Sequence, residues 1–508
     1  MFEPRSLARL LLPYIHDRKA LYGSHVFTEG SELDEAEKKK LLIEFSSPNI
    51  ASEFQGKHLR STIIGAHIGL LYESMGWDVT RVNYLGDWGK NIGLLGAGWE
   101  DFGSEEQFAA DPIGHLVSVY NQANEIFIPE QASSKKARDA HEDTVEIESK
   151  GYYAKRNDFF KKMEDGDEVA VGLSKRFRDV YVDHYKELYA RLNVTFDEYS
   201  GESQVSPETM TEVEEILKSK GLSEEKDGAW MIELKKHGGK GGAAIIRDRT
   251  GSSTYLLRDL ATVLERFRKY SFDKMIYVVS VDHDLHFQRV LKILDLMDMS
   301  HLAERLQHVH FSKVSPMVDQ GSMLGDILSQ CQSSMLESLR ENPDQSALLG
   351  DSEDVAASLG ISALLVQELS ARRAADHAFD IARMTSFELG TGPELQYCYA
   401  RLTSLLADKS SDASALTDDE LESITGEAFV DLLRLLAQYP DVTAQEFKAL
   451  ESATVMAYLT SVTGQLSGCF EEIPEGADLT VGQVMLLEAA RQVLENAMRL
   501  LGIVPTSR

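Results

Sequence analysis

The stretch from Leu41 to Arg60, LLIEFSSPNIASEFQGKHLR, constrains the fold more than any other part of the chain. Its apolar start, Leu41 to Phe45, reads as a short strand. Ser46 to Lys57 reads as a polar loop, and Leu59, Ile63, Ala66 and Leu70 recur at helical spacing until a stop near Gly76. A second strand, Asp78 to Tyr84, follows at once. Strand, helix and strand in this order make one right-handed parallel crossover, whose loop lies at the carboxyl end of the first strand, where open parallel sheets bind ligands. A third run, Met275 to Val281, is apolar and rich in β-branched residues, as a buried parallel strand requires. It ends in Asp282-His283-Asp284, so the strand ends at Ser46, Gly86-Asp87 and Asp282 are expected to bring polar groups to one crevice.

At 508 residues the chain is too long for one core, and about three domains are expected. Residues 1–40 hold one amphipathic helix and a connector, SELDEAEKKK. Residues 41–355 read as an α/β body with a helical insertion near 96–190 and a β-rich one near 200–255. Residues 356–508 are helical throughout, with an acid-rich loop from Asp408 to Asp419. Within the second insertion, AAIIRDRTGSSTYLL reads as two extended runs around Asp248 to Gly251, a hairpin. The glycines flanking Lys240 lack the Gly-Lys-Ser/Thr at a helix start that cradles phosphate, and read as a turn.

A net charge of −30 argues against recognition of nucleic acid by the overall field, because such affinity comes from Lys and Arg at phosphates. An RNA partner then needs local patches, for which Lys175-Arg176-Phe177-Arg178, Lys235-Lys236 and Arg266 to Lys269 are candidates, with solvated helix or loop faces as the plain alternative. Cys331, Cys398 and Cys469 stand apart without CxxC spacing. That argues against a zinc site or a disulfide framework and for a reducing compartment, so a cytoplasmic protein with no metal and no cofactor is expected. The N-terminus mixes acids and bases around a brief apolar run, unlike a signal peptide. No segment approaches the ~18 apolar residues of a membrane span. A monomer that binds neither DNA nor membrane is expected.

Several segments resemble the eukaryotic-type arginyl-tRNA synthetases, which are class I synthetases. Ser47-Pro48-Asn49, His58-Leu59-Arg60-Ser61-Thr62, Asn83 to Lys90 and Gly93-Leu94-Leu95 match motifs of that family. Thr391-Gly392-Pro393, Leu395-Gln396-Tyr397, Gln438-Tyr439-Pro440 and Met498 to Gly502 match its anticodon-binding bundle. The resemblance spans roughly residues 40 to 505. It implies an α/β fold: a Rossmann-type parallel-sheet catalytic domain with insertions, followed by a C-terminal α-helical anticodon-binding-like bundle. It also implies a larger N-terminal domain, of which residues 1–40 are only a stub. Glu202, Tyr255 and Asp259 match family positions around the guanidinium of arginine, and Glu44 and Asn49 match positions near the amino-acid backbone. The residue types fit, because a planar guanidinium with five donors is selected by carboxylates that accept its fork. For Asp259 the pattern also allows a helix N-cap before the run Leu260 to Tyr270.

Three departures from the family point elsewhere. Its His-Ala-Gly-His signature is here Gln55-Gly56-Lys57-His58, and its Met-Ser-Thr-Arg-Lys-Gly loop is Met317-Val318-Asp319-Gln320-Gly321-Ser322, with an acid where cations serve ATP and Lys313 as the nearby substitute. Val281-Asp282-His283-Asp284-Leu285-His286 stands in place of Ser-Gln-Gln-Asp-Leu-His, adding an acid and a histidine; a carboxylate beside a histidine orients it as a base. An arginine pocket kept while the ATP machinery is lost is similar to the arginine-containing cyclodipeptide synthases of fungi. That resemblance implies cyclo(Arg-Xaa) formed from two partners, arginyl-tRNA and a second aminoacyl-tRNA, without adenylate formation, with His58 or His283, the latter beside Asp282, carrying the proton. Two other readings stand beside it: a divergent arginyl-tRNA synthetase, and an inactive paralogue that binds arginine or tRNA.

Overall fold

The computed structural model describes residues 3–25, 38–50, 54, 56–240, 242–312, 324–376, 378–409, 417–473 and 478–506. Eight strands are present among them: β1 (Lys40–Glu44), β2 (Asp78–Leu85), β3 (Glu198–Gly201), β4 (Ser223–Lys226), β5 (Ala229–Glu233), β6 (Ala243–Arg247), β7 (Lys274–Ser280) and β8 (Leu306–Phe311). Five of them form one sheet in the order β3-β2-β1-β7-β8, and every pairing is parallel. Helices cover both faces, so β1 is buried at four of its five positions. Its side chains alternate between two cores: Leu41, Ile43 and Phe45 pack on one face, Leu42 on the other. The chain winds outward from β1 to one edge and from β7 to the other. The β1–β7 boundary is therefore the switch point, where a crevice opens at the carboxyl ends of the strands.

The helix Gly56–Ser74 carries the chain from β1 to β2 and buries Leu59, Ile63, Ile64, Ile68 and Leu71. Its Gly65 permits close approach to the sheet, since a Cβ there would stand 2.2 Å from the Phe45 ring. A helical insertion, from Lys90–Phe102 through Glu168–Arg191, separates β2 from β3. The second insertion contains an antiparallel sheet in the order β4-β5-β6.

The expected hairpin around Asp248 forms but is short. Its first run, β6, also pairs with β5, and the second run is limited to one antiparallel bridge, Arg247 with Ser253, flanked by the Asp248 amide donating to the Ser252 carbonyl at 3.0 Å and the Thr254 amide to the Ile246 carbonyl at 3.1 Å, before the helix Tyr255–Tyr270 begins. The reason lies in the sequence. Leu256, Leu257, Leu260, Ala261 and Leu264 are all buried at helical spacing, and Asp248 closes the intervening loop by accepting from the Thr250 and Ser252 amides. The N-cap alternative for Asp259 fails, because the N-cap position falls at Thr254 and Asp259 lies inside the helix.

The C-terminal part is a bundle that includes Gly392–Leu406, Glu427–Leu436, Tyr439–Ala449, Ala453–Glu472 and Val481–Leu500. The N-terminal helix Pro4–Arg18 and the turn after it pack on this bundle. Tyr22 donates to the Leu436 carbonyl at 2.8 Å, and Asn496 donates to the Lys19 carbonyl at 2.8 Å. Bundle and catalytic part also meet at His67, fully enclosed, with Nε2 2.8 Å from Glu446 and Nδ1 3.0 Å from the Leu500 carbonyl. Among the described residues no helix is long and apolar enough to cross a membrane.

Candidate active site

The crevice at the switch point encloses a cavity of about 440 Å³. Glu44, Asn49, His58, Glu202, Tyr255, Asp259 and His283 all line it, together with His286 and Phe287. Seven of the eight residues singled out in the sequence thus converge from separate segments. The eighth, Asp282, is exposed in the turn after β7 and is not among the lining residues.

The floor is set by β1 and its loop. Ser46 and Ser47 both have positive φ, 66° and 46°, an uncommon state for non-glycine residues that tertiary bonds must sustain. They are held firmly. The Ser46 amide donates to Ser61 at 2.8 Å, its hydroxyl meets Tyr189 at 2.7 Å, and the Tyr84 amide donates to Ser47 at 3.2 Å. This reversal aims the loop back over the strand end, where Asn49 bridges to Gly86. Gly86 leaves room for the Asn49 side chain, because a Cβ there would lie 1.8 Å from Asn49 Oδ1 and displace it.

Glu202 opens a short helical turn after β3. That turn is anchored by buried Asp87, which accepts from the Ser203 amide at 2.8 Å, from the Ser203 hydroxyl at 2.7 Å and from Arg178 at 2.7 Å. Burial pushes the Glu202 carboxyl up to about 8; Arg258 opposes this, while Asp259 and Asp87 add to it. Arg258 binds Glu202 through Nε and Nη2, both at 2.7 Å, and its Nη1 donates to Ser253. Its guanidinium also lies over the Tyr255 ring at 4.9 Å. Glu44 is paired with Arg266, and burial raises its pKa against the pull of that arginine. Asp259 Oδ2 is 2.6 Å from His286 Nε2. Burial disfavours the charged imidazole of His286, but the hydrogen bond and charge of Asp259 outweigh it and its pKa is raised.

Three carboxylates, Glu44, Glu202 and Asp259, therefore face one cavity, whose lining among the described residues includes no Lys or Arg. A bound cation suits such a lining. The supporting arginines, Arg258 and Arg266, sit behind the carboxylates, and Arg266 Nη2 is buried without a partner. Sequence reading missed these two arginines and His286. The helix Tyr255–Tyr270 offered a signal, since Arg258 and Asp259 fall three and four residues after Tyr255, and Thr262 and Arg266 continue the same face.

Most cations of the candidate basic runs are ion-paired. Lys175 pairs with Asp179, Arg176 with Glu105, Arg178 with Asp87, Lys236 with Glu224, Arg266 with Glu44, Arg268 with Glu212 and Lys269 with Glu198. Arg178 and Arg266 are thereby turned inward, while Lys175, Lys236, Arg268 and Lys269 stay on the surface. Gln55, and the 317–322 loop with Lys313, lie outside the described residues.

Two families match the sequence. The family described as tRNA synthetases class I (R), catalytic domain, matches residues 24–381, and the DALR anticodon binding domain matches residues 395–508. The cytoplasmic arginine–tRNA ligase of Saccharomyces cerevisiae is 41% identical over 518 aligned residues, covering 100% of this chain and 81% of that protein. The mitochondrial arginine–tRNA ligase of the same yeast is 37% identical over 514 residues, covering 100% of this chain and 76% of that protein. Two solved structures share the fold. The arginyl-tRNA synthetase of Plasmodium falciparum has a TM-score of 0.75 at 20% identity, covering 96% of this chain and 82% of that one. That of Thermus thermophilus has a TM-score of 0.74 at 17% identity, covering 100% and 86%. This corrects the expectation of a cyclodipeptide synthase. Full-length identity near 40% to arginine–tRNA ligases favours the synthetase reading, and the departures behind the other expectation fall outside the described residues at Gln55 and at the 317–322 loop.

Proposed function

Because the chain belongs to the class I arginyl-tRNA synthetase family, we propose that it is an arginine–tRNA ligase, esterifying tRNA with arginine at the expense of ATP. The observation that carries this reading is the set of three carboxylates converging on one cavity at the sheet's switch point. In the proposed complex the substrate guanidinium lies between Asp259 and Glu202, with the Tyr255 ring against its plane, and Glu44 and Asn49 meet the α-amino end. Arg258 and Arg266 hold Glu202 and Glu44 in place before substrate arrives, so binding needs little rearrangement. His58, in the first turn of Gly56–Ser74, stands where a helix N-terminus favours phosphate oxygens. The helical bundle at 395–508 receives the anticodon end of the tRNA. A cytoplasmic location is proposed from the unpaired cysteines.

A second reading is favoured by Gln55 and Asp319, which stand where the family resemblance has a histidine and cations: the site binds arginine and tRNA without activating the amino acid. Arginine-dependent exchange of pyrophosphate into ATP, with tRNA present, separates the two. Exchange supports ligation, and its absence in a protein that still binds arginine and tRNA supports the second reading.

A further inference from the structure

Beside the arginine-binding cavity, three metal-ligating side chains meet that no part of the proposed reaction uses. Asp284 begins the helix Asp284–Leu296, and His308 and His310 lie two apart on β8, so both histidines share the sheet face against which that helix packs. Asp284 Oδ1 is 3.0 Å from His308 Nδ1 and 3.4 Å from His310 Nδ1, and the three ligand atoms all lie within 4.8 Å of one another. In a tetrahedral site with bonds of about 2.0–2.1 Å, donor atoms stand about 3.3–3.4 Å apart, a spacing that the two Asp284–histidine separations bracket.

A second observation concerns His308 alone. Its Nε2 lies 3.0 Å from the Val279 carbonyl, which only accepts, so Nε2 carries the proton. In the neutral ring Nδ1 is then a bare lone pair, aimed at a carboxylate oxygen 3.0 Å away. Two acceptors face each other at hydrogen-bond distance, an arrangement that calls for a positive charge between them. A histidine whose other ring nitrogen is fixed by a backbone carbonyl is also the usual form of a metal ligand, because that bond sets tautomer and orientation.

We infer that Asp284, His308 and His310 form a site for a zinc-class divalent cation, bound by two imidazoles and one carboxylate with a fourth position open to solvent. His308 is nearly buried while the side chains of His310 and Asp284 remain 44% and 38% exposed, so an ion can enter from solvent. The ion would join the start of the Asp284–Leu296 helix to β8. The same helix carries His286 and Phe287 into the arginine cavity, and Phe287 stacks on His308 with ring centroids 4.3 Å apart. Absence of CxxC spacing hides such a site from the sequence, since its ligands come from two elements more than twenty residues apart.

The test uses the full chain, stripped with a chelator and titrated with Zn²⁺ alone against a chromophoric competitor, and separately with Co²⁺ for its visible bands. One saturable ion per chain, with intense four-coordinate Co²⁺ absorption, is expected. Affinity should fall at least about tenfold in His310→Asn and in Asp284→Asn, since even losing an outer partner costs that much. His16→Ala, on an exposed helix face, should bind as the parent does. No saturable binding, or binding left unchanged by both His310→Asn and Asp284→Asn, overturns the site and leaves a protonated His308 paired with Asp284.

Discussion

Asp259→Asn isolates the charge that recognises the substrate side chain. The amide has nearly the shape of the carboxylate and can still meet His286, now 2.6 Å from Oδ2, so the helix and the cavity wall stay in place. What is lost is a charge-assisted bond to the guanidinium, worth about 1.5–3 kcal/mol, which weakens arginine binding roughly 10- to 150-fold. Citrulline has the same length and a neutral urea end, so its weaker binding should barely change in the variant. Calorimetric titration of both ligands into both proteins closes a double-mutant cycle, with circular dichroism as the check on folding. Equal affinity for arginine in parent and variant would refute the assignment. So would a loss of citrulline binding as large as the loss of arginine, because the effect would then be on the cavity rather than on the charge.

Glu44→Gln leaves Arg266 buried with one nitrogen already unpartnered, and should lower stability to urea by about 3–5 kcal/mol; a change below about 1 kcal/mol would show that the pair is not what holds this helix to β1. Since burial holds Glu202 near 8, arginine affinity should climb as pH rises through 8 and level only about one unit above it, as the carboxylate form takes over; a flat profile measured by calorimetry would contradict it. For His67, burial opposes the charge but Glu446 outweighs it and raises the pKa, so the pair's stabilisation is complete below about 6.5 and fades as pH rises through the folded value. His67→Gln should therefore cost more stability at pH 6 than at pH 9, and an equal cost at both would exclude the ion pair.

The sheet was legible because its strands are short apolar runs fixed by burial on both faces: Leu41 to Phe45 and Met275 to Val281 each differ from β1 and β7 by one residue. The crevice was legible in part as a gathering of strand ends, since Ser46 and Gly86 line it while Asp87 and Asp282 do not; Glu44, Asn49, Glu202, Tyr255 and Asp259, named from the family resemblance, line the same cavity. The partners that condition those groups were not. Arg258 and Arg266 read as ordinary helix residues or as part of a basic run, because an ion pair across 56 or 222 positions leaves no local pattern. The second run of the Asp248 hairpin is shorter than its sequence suggests, because the buried leucines beyond Tyr255 decide for a helix. The left-handed pair Ser46-Ser47 has no sequence mark either, being sustained by Ser61, Tyr84 and Tyr189.

The most direct test of the central claim is arginylation of tRNA by the purified full-length chain. With ATP, labelled arginine and unfractionated tRNA, the account predicts acid-precipitable arginyl-tRNA together with arginine-dependent pyrophosphate exchange. Both should be abolished in the double variant Glu202→Gln/Asp259→Asn, and lysine should not substitute for arginine. Failure to form arginyl-tRNA or to exchange pyrophosphate, in a protein that binds both arginine and tRNA, would contradict it.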